Sequence, residues 1–303
     1  MRGFVGFTKR NLLIYFKDFQ TVVFSMLTSI IVFLLYMFFI KDSYVNAVEE
    51  SLDGLESFVQ SGDTDMFANI LLLVGVLGSA LITVPFNCLS TIVKDKEQRI
   101  DYDICATPLK RWQIVLSYFT AATLSAFIMT SAILTVALII LTSKGDTYIG
   151  MQQLPMAYGL ILAGSVSATA FFMIVVLFFK STSASGSFFG ILSATSGFVI
   201  GAYIPVSQFS SEIRTLCNAF PASHITILFR NVLLSGVLEH IDTGLQGRDG
   251  GQFLKGIKEF LTFKADMFGK TIDYPSTIIY ITGFTFLSIC VMIIMYANTY
   301  KRK

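Results

Sequence analysis

Six stretches of about 20 or more mostly apolar residues punctuate this chain, at about 19–40, 67–93, 112–142, 154–179, 186–205 and 276–297. A bilayer's hydrocarbon core is about 30 Å thick, and roughly 20 helical residues cross it. No water is available there to satisfy backbone N–H and C=O groups, so apolar runs of this length are accommodated as helices. The first run, Phe19 to Ile40, holds no Asp, Glu, Lys or Arg, and neither does the fourth, LPMAYGLILAGSVSATAFFMIVVLFF. Only 14% of the residues are charged, against about 25% in a soluble domain. A polar surface cannot be assembled from so few charges. The expected fold is therefore all-α and integral to a membrane: one transmembrane domain over 1–303 with six spans. The third run is long enough to include an interfacial turn before the span itself.

An even number of spans puts both termini on one side. With the termini inside, Arg2, Lys9, Arg10, Lys17, Lys94, Lys96, Arg99, Lys110, Arg111, Lys180 and the Lys301-Arg302-Lys303 tail are cytoplasmic. The short external loops keep only Lys41 and Lys144. Positive charge in short loops marks the cytoplasmic side, so this orientation is expected.

Residues 1–18 lack the short apolar core and small-residue cleavage site of a signal peptide. Phe4, Val5, Phe7, Leu12, Ile14 and Phe16 alternate with Arg2, Lys9, Arg10 and Lys17. This mixture reads as an amphipathic helix in the inner interface, its basic residues towards lipid headgroups. The stretch from Lys41 to Met66 is acidic, with Asp42, Glu49, Glu50, Asp53, Glu56, Asp63 and Asp65, and reads as a solvated external loop. It lacks the ligand spacing of an EF-hand.

The segment 206–275 reads as an external helical region in three parts. Phe209, Ile213, Leu216 and Phe220 repeat at helical spacing, Pro221 breaks the chain, and Ile225, Leu228, Phe229, Val232 and Leu233 form a second apolar face. Each run is too short to cross alone, which suggests interfacial or re-entrant helices. After the Gly-rich GLQGRDGG, an amphipathic helix carries Phe253, Leu254, Ile257, Phe260 and Leu261 on one face, resting on the outer leaflet or on the protein itself.

The net charge of +2 gives no basic field for nucleic acid. Cys88, Cys105, Cys217 and Cys290 are too scattered for a CxxC metal or redox site. No P-loop is present: Gly269-Lys270-Thr271 has Lys rather than Gly at position 264, and a phosphate cradle needs both glycines. His224 beside Ser196 or Ser223 could be drawn as an intramembrane hydrolase, but the sequence around them lacks such a pattern. A histidine hydrogen-bonded within the external helix pair is the plainer reading. No catalytic, cofactor-binding or metal residues are expected.

The loop between spans two and three, VKDKEQRIDYDICATPLKRWQIVLSY, mixes Lys94, Asp95, Lys96, Glu97, Arg99, Asp101 and Asp103. A simple membrane anchor needs only the bases. Thr107-Pro108 then marks a break. The segment resembles the first cytoplasmic loop of the ABC-2 type exporter permeases, in which a charged run leads to a T-P-x-x-R-W-x-I pattern. Ile104, Thr107, Pro108, Arg111, Trp112 and Ile114 match that pattern; Arg99 stands where glycine is usual, Asp101 where leucine is and Tyr102 where glutamate is. The block 201–236, with Pro205, Phe220-Pro221, His224, Arg230 and Leu234, is similar to the family's segment after the fifth span. Residues 240–272 have no counterpart in that pattern and read as an insertion.

The resemblance implies the membrane subunit of an ABC exporter for a hydrophobic or amphipathic substrate (a drug, peptide or lipid-linked molecule). A pair of separate ATPase subunits would bind ATP and Mg²⁺, and a second permease subunit would complete the pathway. A bacterial plasma membrane is the implied location. The loop 94–111 would be the coupling helix, and Pro205, Pro221, His224 and Arg230 would belong to an external gate. Pro85 and Asn87 in span two could kink a helix and line a polar cavity, or could be packing features. Gly190, Gly197 and Gly201 in span five permit close helix approach, either within one subunit or at a subunit interface beside the substrate path. A self-standing channel or secondary transporter is the alternative. Such transporters carry ionisable groups near the midplane, and these spans hold almost none.

Overall fold

The structure is a computed structural model that describes residues 2–52, 55 and 59–299. Asp53 and Glu56 of the acidic stretch, and the Lys301-Arg302-Lys303 tail, lie outside the described residues. Thirteen α-helices and one two-stranded hairpin are present among them.

The first apolar run forms α2 (Phe19–Leu35), entered through Asp18, whose carboxylate accepts from the backbone N–H of Thr21 at 3.2 Å and from its hydroxyl at 2.9 Å. A π-helical stretch, Tyr36–Ile40, passes directly into α3 (Lys41–Leu52). The acidic stretch therefore begins as a helix, not a loop. Tyr44, Val48 and Leu52 bury one face, leaving the acids on the other.

The second run forms α4 (Ser61–Glu97), which continues through Pro85 and overruns the expected span at both ends. It is the hub of the molecule: its most apolar window is 89% buried, and α2, α6 (Arg111–Thr142), α7 (Gln153–Leu177), α8 (Thr182–Val199) and α10 (Pro221–Leu233) all pack on it. Polar seams join α2 to α4 through hydrogen bonds inside the bundle, as lipid requires. The Thr83 hydroxyl donates to Ser25 O at 2.9 Å, the Ser29 and Ser79 hydroxyls lie 3.1 Å apart, and Tyr36 donates to Ala68 O at 2.8 Å.

The third run is one unbroken helix, α6 (Arg111–Thr142), with no interfacial turn. The fourth is α7 (Gln153–Leu177), the fifth α8 (Thr182–Val199) and the last α13 (Tyr274–Thr299). α2 with α3, α4, α6, α7 and α13 are each long and apolar enough to cross a membrane. The bent pair α10 (Pro221–Leu233) and α11 (Ser235–Leu245), at 45°, could count as a sixth span or a re-entrant loop. α8 is less apolar, because seven of its 18 residues are Ser or Thr.

Helix α1 (Arg2–Lys17) is amphipathic but does not present its bases simply to lipid. Thr8, Asn11 and Tyr15 form its buried face, while Val5, Leu13 and Phe16 are exposed. Arg2, Lys9 and Lys17 are exposed as well, whereas Arg10 is half-buried and Phe7 packs on the core. That arrangement suits a helix pressed against protein at the level of a membrane boundary.

The segment 206–275 is not wholly helical. α9 (Ser211–Asn218) and α12 (Gln252–Phe260) match the predicted amphipathic pieces, but residues Ala265–Met267 and Lys270–Ile272 form an antiparallel hairpin, β1–β2. Phe268 and Gly269 at its tip have φ of 54° and 71°, the handedness that two-residue hairpin turns favour. The Gly-Lys-Thr near miss is thus a hairpin turn. α10 does not lie at an interface: twelve of its 13 residues are buried, packed against α4, α7 and α13. Gly78 of α4 permits this approach, since a Cβ there would stand 2.4 Å from the Thr226 hydroxyl.

Candidate functional site

The charged loop folds as the last turn of α4, a reversal at Arg99, and the short helix α5 (Ile100–Ala106) ending at Thr107 and Pro108. Arg99 has φ of 61°, a left-handed conformation in which glycine is favoured. The reversal therefore occurs at the position where the resembling pattern carries glycine.

Four charges of this segment, Asp95, Lys96, Glu97 and Arg111, bond to neighbouring helices, and Asp95 is the buried one. Asp95 is only 3% exposed. It accepts two hydrogen bonds from the Arg10 guanidinium, at 2.7 and 2.8 Å, and one from the Tyr118 hydroxyl. This paired geometry is the strongest that an arginine and a carboxylate make, and it joins α1, α4 and α6. Hydrogen bonding to Asp95 holds the Arg10 guanidinium's pKa above its ordinary value. Phe7 of α1 packs edge-on against Tyr118, with ring centroids 5.0 Å apart. Arg10, expected to face headgroups, is instead an internal partner.

Lys96 donates to Leu177 O at the end of α7, at 3.0 Å. Glu97 accepts from the backbone N–H of Thr182 at 3.1 Å and from its hydroxyl, so it caps the start of α8. Arg111 donates to Ala297 O of α13 at 3.2 Å. Outward from this brace lies an exposed face of mixed charge: Lys94, Arg99, Tyr102, Asp103, Thr107 and Pro108. Tyr102 is 72% exposed. Asp101 is half-buried, with one carboxylate oxygen lacking a partner among the described residues.

A family model described as "ABC-2 family transporter protein" matches residues 42–297. The chain belongs to this family. It is the membrane-spanning permease component of an ABC transporter, and ATP hydrolysis in such a transporter belongs to a separate subunit. No curated protein matches the chain.

Within the permease, the residues singled out in spans two and five do not all come together. Pro85 is buried in α4. Asn87 lines a cavity of about 190 Å³ between α1, α2, α4 and α8, with Asp18, Ser90, Lys94, Thr182 and Phe189. Its Nδ2 is buried without a partner among the described residues. Gly190 lies on an open face, where an added Cβ would meet nothing within 4 Å. It helps line a furrow of about 620 Å³ between α2 and α8, with Thr28, Ile31, Ala194 and Phe198. Gly197 packs internally, since a Cβ there would clash with the Tyr203 ring at 2.3 Å. Gly201 has φ of 68° and ends the α8 region beside Arg230.

At the opposite end from α1, Pro205 precedes a short 3-10 turn and Pro221 opens α10. Arg230 is 2% exposed and has no acidic partner among the described residues. It donates to Ile200 O at 2.8 Å and Gly201 O at 3.0 Å, and to Leu261 O at 2.6 Å. One cation thus ties α10 to the ends of α8 and α12. The region 240–272, set apart in sequence, is joined to the core by these bonds and by packing of α12 on α3. The family match also extends across it.

His224 shares a 2.7 Å hydrogen bond with Asn218 O and packs on the Tyr280 ring at 4.4 Å. The Ser223 hydroxyl donates to Asn218 Oδ1, and the Ser196 hydroxyl to Ser193 O. Neither serine is bonded to the imidazole, and the hydrolase arrangement is absent among the described residues.

Sequence reasoning missed Arg10, Tyr118 and Thr182 as partners of the loop. A basic residue at one face of α1 beside Thr8 and Asn11 was the available signal, because a polar stripe on an otherwise apolar helix needs partners.

Proposed function

We propose that this permease is an exporter, driven by a pair of ATPase subunits that bind ATP and Mg²⁺ and press on the exposed face of residues 94–111. The observation that carries this reading is the Glu97–Thr182 cap. It makes the loop that faces the ATPases continuous with the start of α8. A load on α5 is transmitted to α8 through Glu97, to α1 and α6 through Asp95, and to α7 through Lys96. A shift in α8 relative to α2 then changes the seam between them.

That seam runs from the polar cavity at Asn87 to the apolar furrow at Gly190. A second permease subunit, identical or related, closes it from outside and supplies the other wall of the route. The small residues of α8 support such close approach. The cavity's mixture of polar and aromatic groups and the apolar furrow suit an amphipathic cargo. Both termini lie in the cytoplasm, as the positive charges of the short loops favour, within a bacterial plasma membrane. The Arg230 tie links α8 to the external helices, which act as the outer gate with Pro205, Pro221 and His224.

The test is co-purification with a candidate ATPase, followed by assay of ATP hydrolysis. Asp103→Lys and Tyr102→Ala weaken co-purification because they alter only the outward face. Glu97→Ala, which removes the acceptor of both Thr182 bonds, leaves assembly in place and reduces coupling. Indifference of both assembly and hydrolysis to all three changes contradicts the reading.

A further inference from the structure

The bundle carries a second furrow, on a different seam from the proposed substrate route. α2 and α6 both pack on α4, and the space between them is an open channel of about 400 Å³. Leu72, Leu73 and Val76 of α4 form its floor. Ile30 and Phe33 of α2, and Val136 and Ile140 of α6, form exposed walls. Along α2 and the π-helical stretch that continues it, the wall repeats at Met26, Ile30, Phe33 and Met37, a single stripe at helical spacing.

Three features select an occupant. The lining is almost wholly apolar, so the furrow is filled by hydrocarbon and not by water. From Met26 to Met37 the wall rises about 16 Å at about 1.5 Å per residue. That is close to half of the roughly 30 Å hydrocarbon core, the depth of one leaflet. The furrow's far end, away from α1, bears Asn69 and Lys144. Lys144 follows the end of α6, is exposed, and has no ion-pair partner among the described residues. Lys41, at the same end of the bundle, is already paired with Asp65 at 2.7 Å.

We propose that this furrow is a binding site for an anionic phospholipid of the outer leaflet. One acyl chain lies along α4 between α2 and α6, and the phosphate sits on Lys144. The leaflet follows from the orientation under Proposed function; the site itself follows from length, apolarity and charge. The bound lipid wedges α2 against α4 on the side opposite α8. It is a resident of the protein and not its cargo.

The test uses the full chain reconstituted in vesicles of equal phosphatidylglycerol and phosphatidylcholine, then released for native mass spectrometry of the retained lipid. One favourable charge near a membrane surface predicts about fivefold enrichment of phosphatidylglycerol. Lys144→Gln removes the enrichment while still retaining lipid. Ala132→Phe, at an exposed lining position, lowers retention of both lipids. Enrichment that survives Lys144→Gln, or retention unchanged in Ala132→Phe, overturns the proposal. Cross-linking of Ile140→Cys between copies also overturns it, by assigning the furrow to a second chain. Labelling of Lys144 by a membrane-impermeant amine reagent in intact cells separates an error of sidedness from an error of site.

Discussion

Arg10 and Asp95 meet through two parallel hydrogen bonds, at 2.7 and 2.8 Å, that fasten the N-terminal helix to the end of the hub helix α4. The carboxylate is nearly buried, with 5% of its side chain exposed, whereas the guanidinium is 32% exposed. Removing Asp95 therefore leaves a cation that water still reaches in part, and the cost falls below that of a fully buried pair. Asp95→Ala is expected to destabilise the protein by about 2–3 kcal/mol. Arg10→Lys, which loses the two-pronged geometry, is expected to cost about 1 kcal/mol. Urea unfolding in detergent measures both, and limited proteolysis within residues 2–17 reports release of α1.

Asp18 tests the junction between α1 and α2. Hydrogen bonds from Thr21, backbone first, hold its carboxyl below the usual range. A carboxylate lowered in the folded state stabilises fully above its unfolded pKa, about 3.9. That contribution is lost as pH falls through the lower folded value. Asp18→Ala is expected to cost about 1 kcal/mol at pH 7, and the difference from the parent protein shrinks below about pH 4. Unfolding curves at pH 7 and pH 3 measure it.

Arg230 tests the tie between α8, α10 and α12. Replacement by Met leaves the carbonyls of Ile200, Gly201 and Leu261 without their donor. A loss of about 3 kcal/mol or more is expected. Arg230→Lys offers one compact donor group in place of a fork, and recovers part of that loss. The folded, monodisperse fraction after purification and hydrogen exchange at residues 200–202 distinguish the two variants.

Two glycines predict opposite outcomes for the same change. At Gly236 an added Cβ would stand 1.9 Å from Tyr148 O, a backbone atom that cannot swing aside. Gly236→Ala is expected to cost about 2 kcal/mol or more. At Gly190 nothing lies within 4 Å, so Gly190→Ala is expected to be neutral or to stabilise α8 by up to about 1 kcal/mol. If a second permease packs there, Gly190→Leu weakens dimerisation without unfolding the monomer. Thermal unfolding and size-exclusion profiles of these three variants check both statements.

Five long apolar helices were legible because a long apolar run has few other solutions, whereas the fifth run, α8, is diluted by Ser and Thr and does not stand with them. The backbone of the loop 94–111 was legible in part: Thr107-Pro108 marked the end of α5, and Arg99 occupies the left-handed reversal. The direction of each charge was not legible. Asp95 and Asp103 are the same residue type eight positions apart, yet one is buried by Arg10 and Tyr118 and the other is exposed. Only α1 and α6, brought alongside by the fold, decide between them. Burial of α10 was hidden for a similar reason. Its run was too short to span, and the length rule pointed to an interfacial or re-entrant helix; packing on α4, α7 and α13 excludes the interfacial choice, and the bend into α11 fits a re-entrant loop or a broken span. The hairpin at 265–272 has strands of three residues, too short for alternation to show.

The central claim is that residues 94–111 receive the ATPase and that Glu97 passes its motion to α8. The most direct measurement is substrate-stimulated ATP hydrolysis by the complex reconstituted with Glu97→Ala, which removes the acceptor of the Thr182 bonds, beside the parent protein. The account predicts normal co-purification of the ATPase subunits, normal basal hydrolysis, and loss of most of the stimulation. Full stimulation with Glu97→Ala would contradict it.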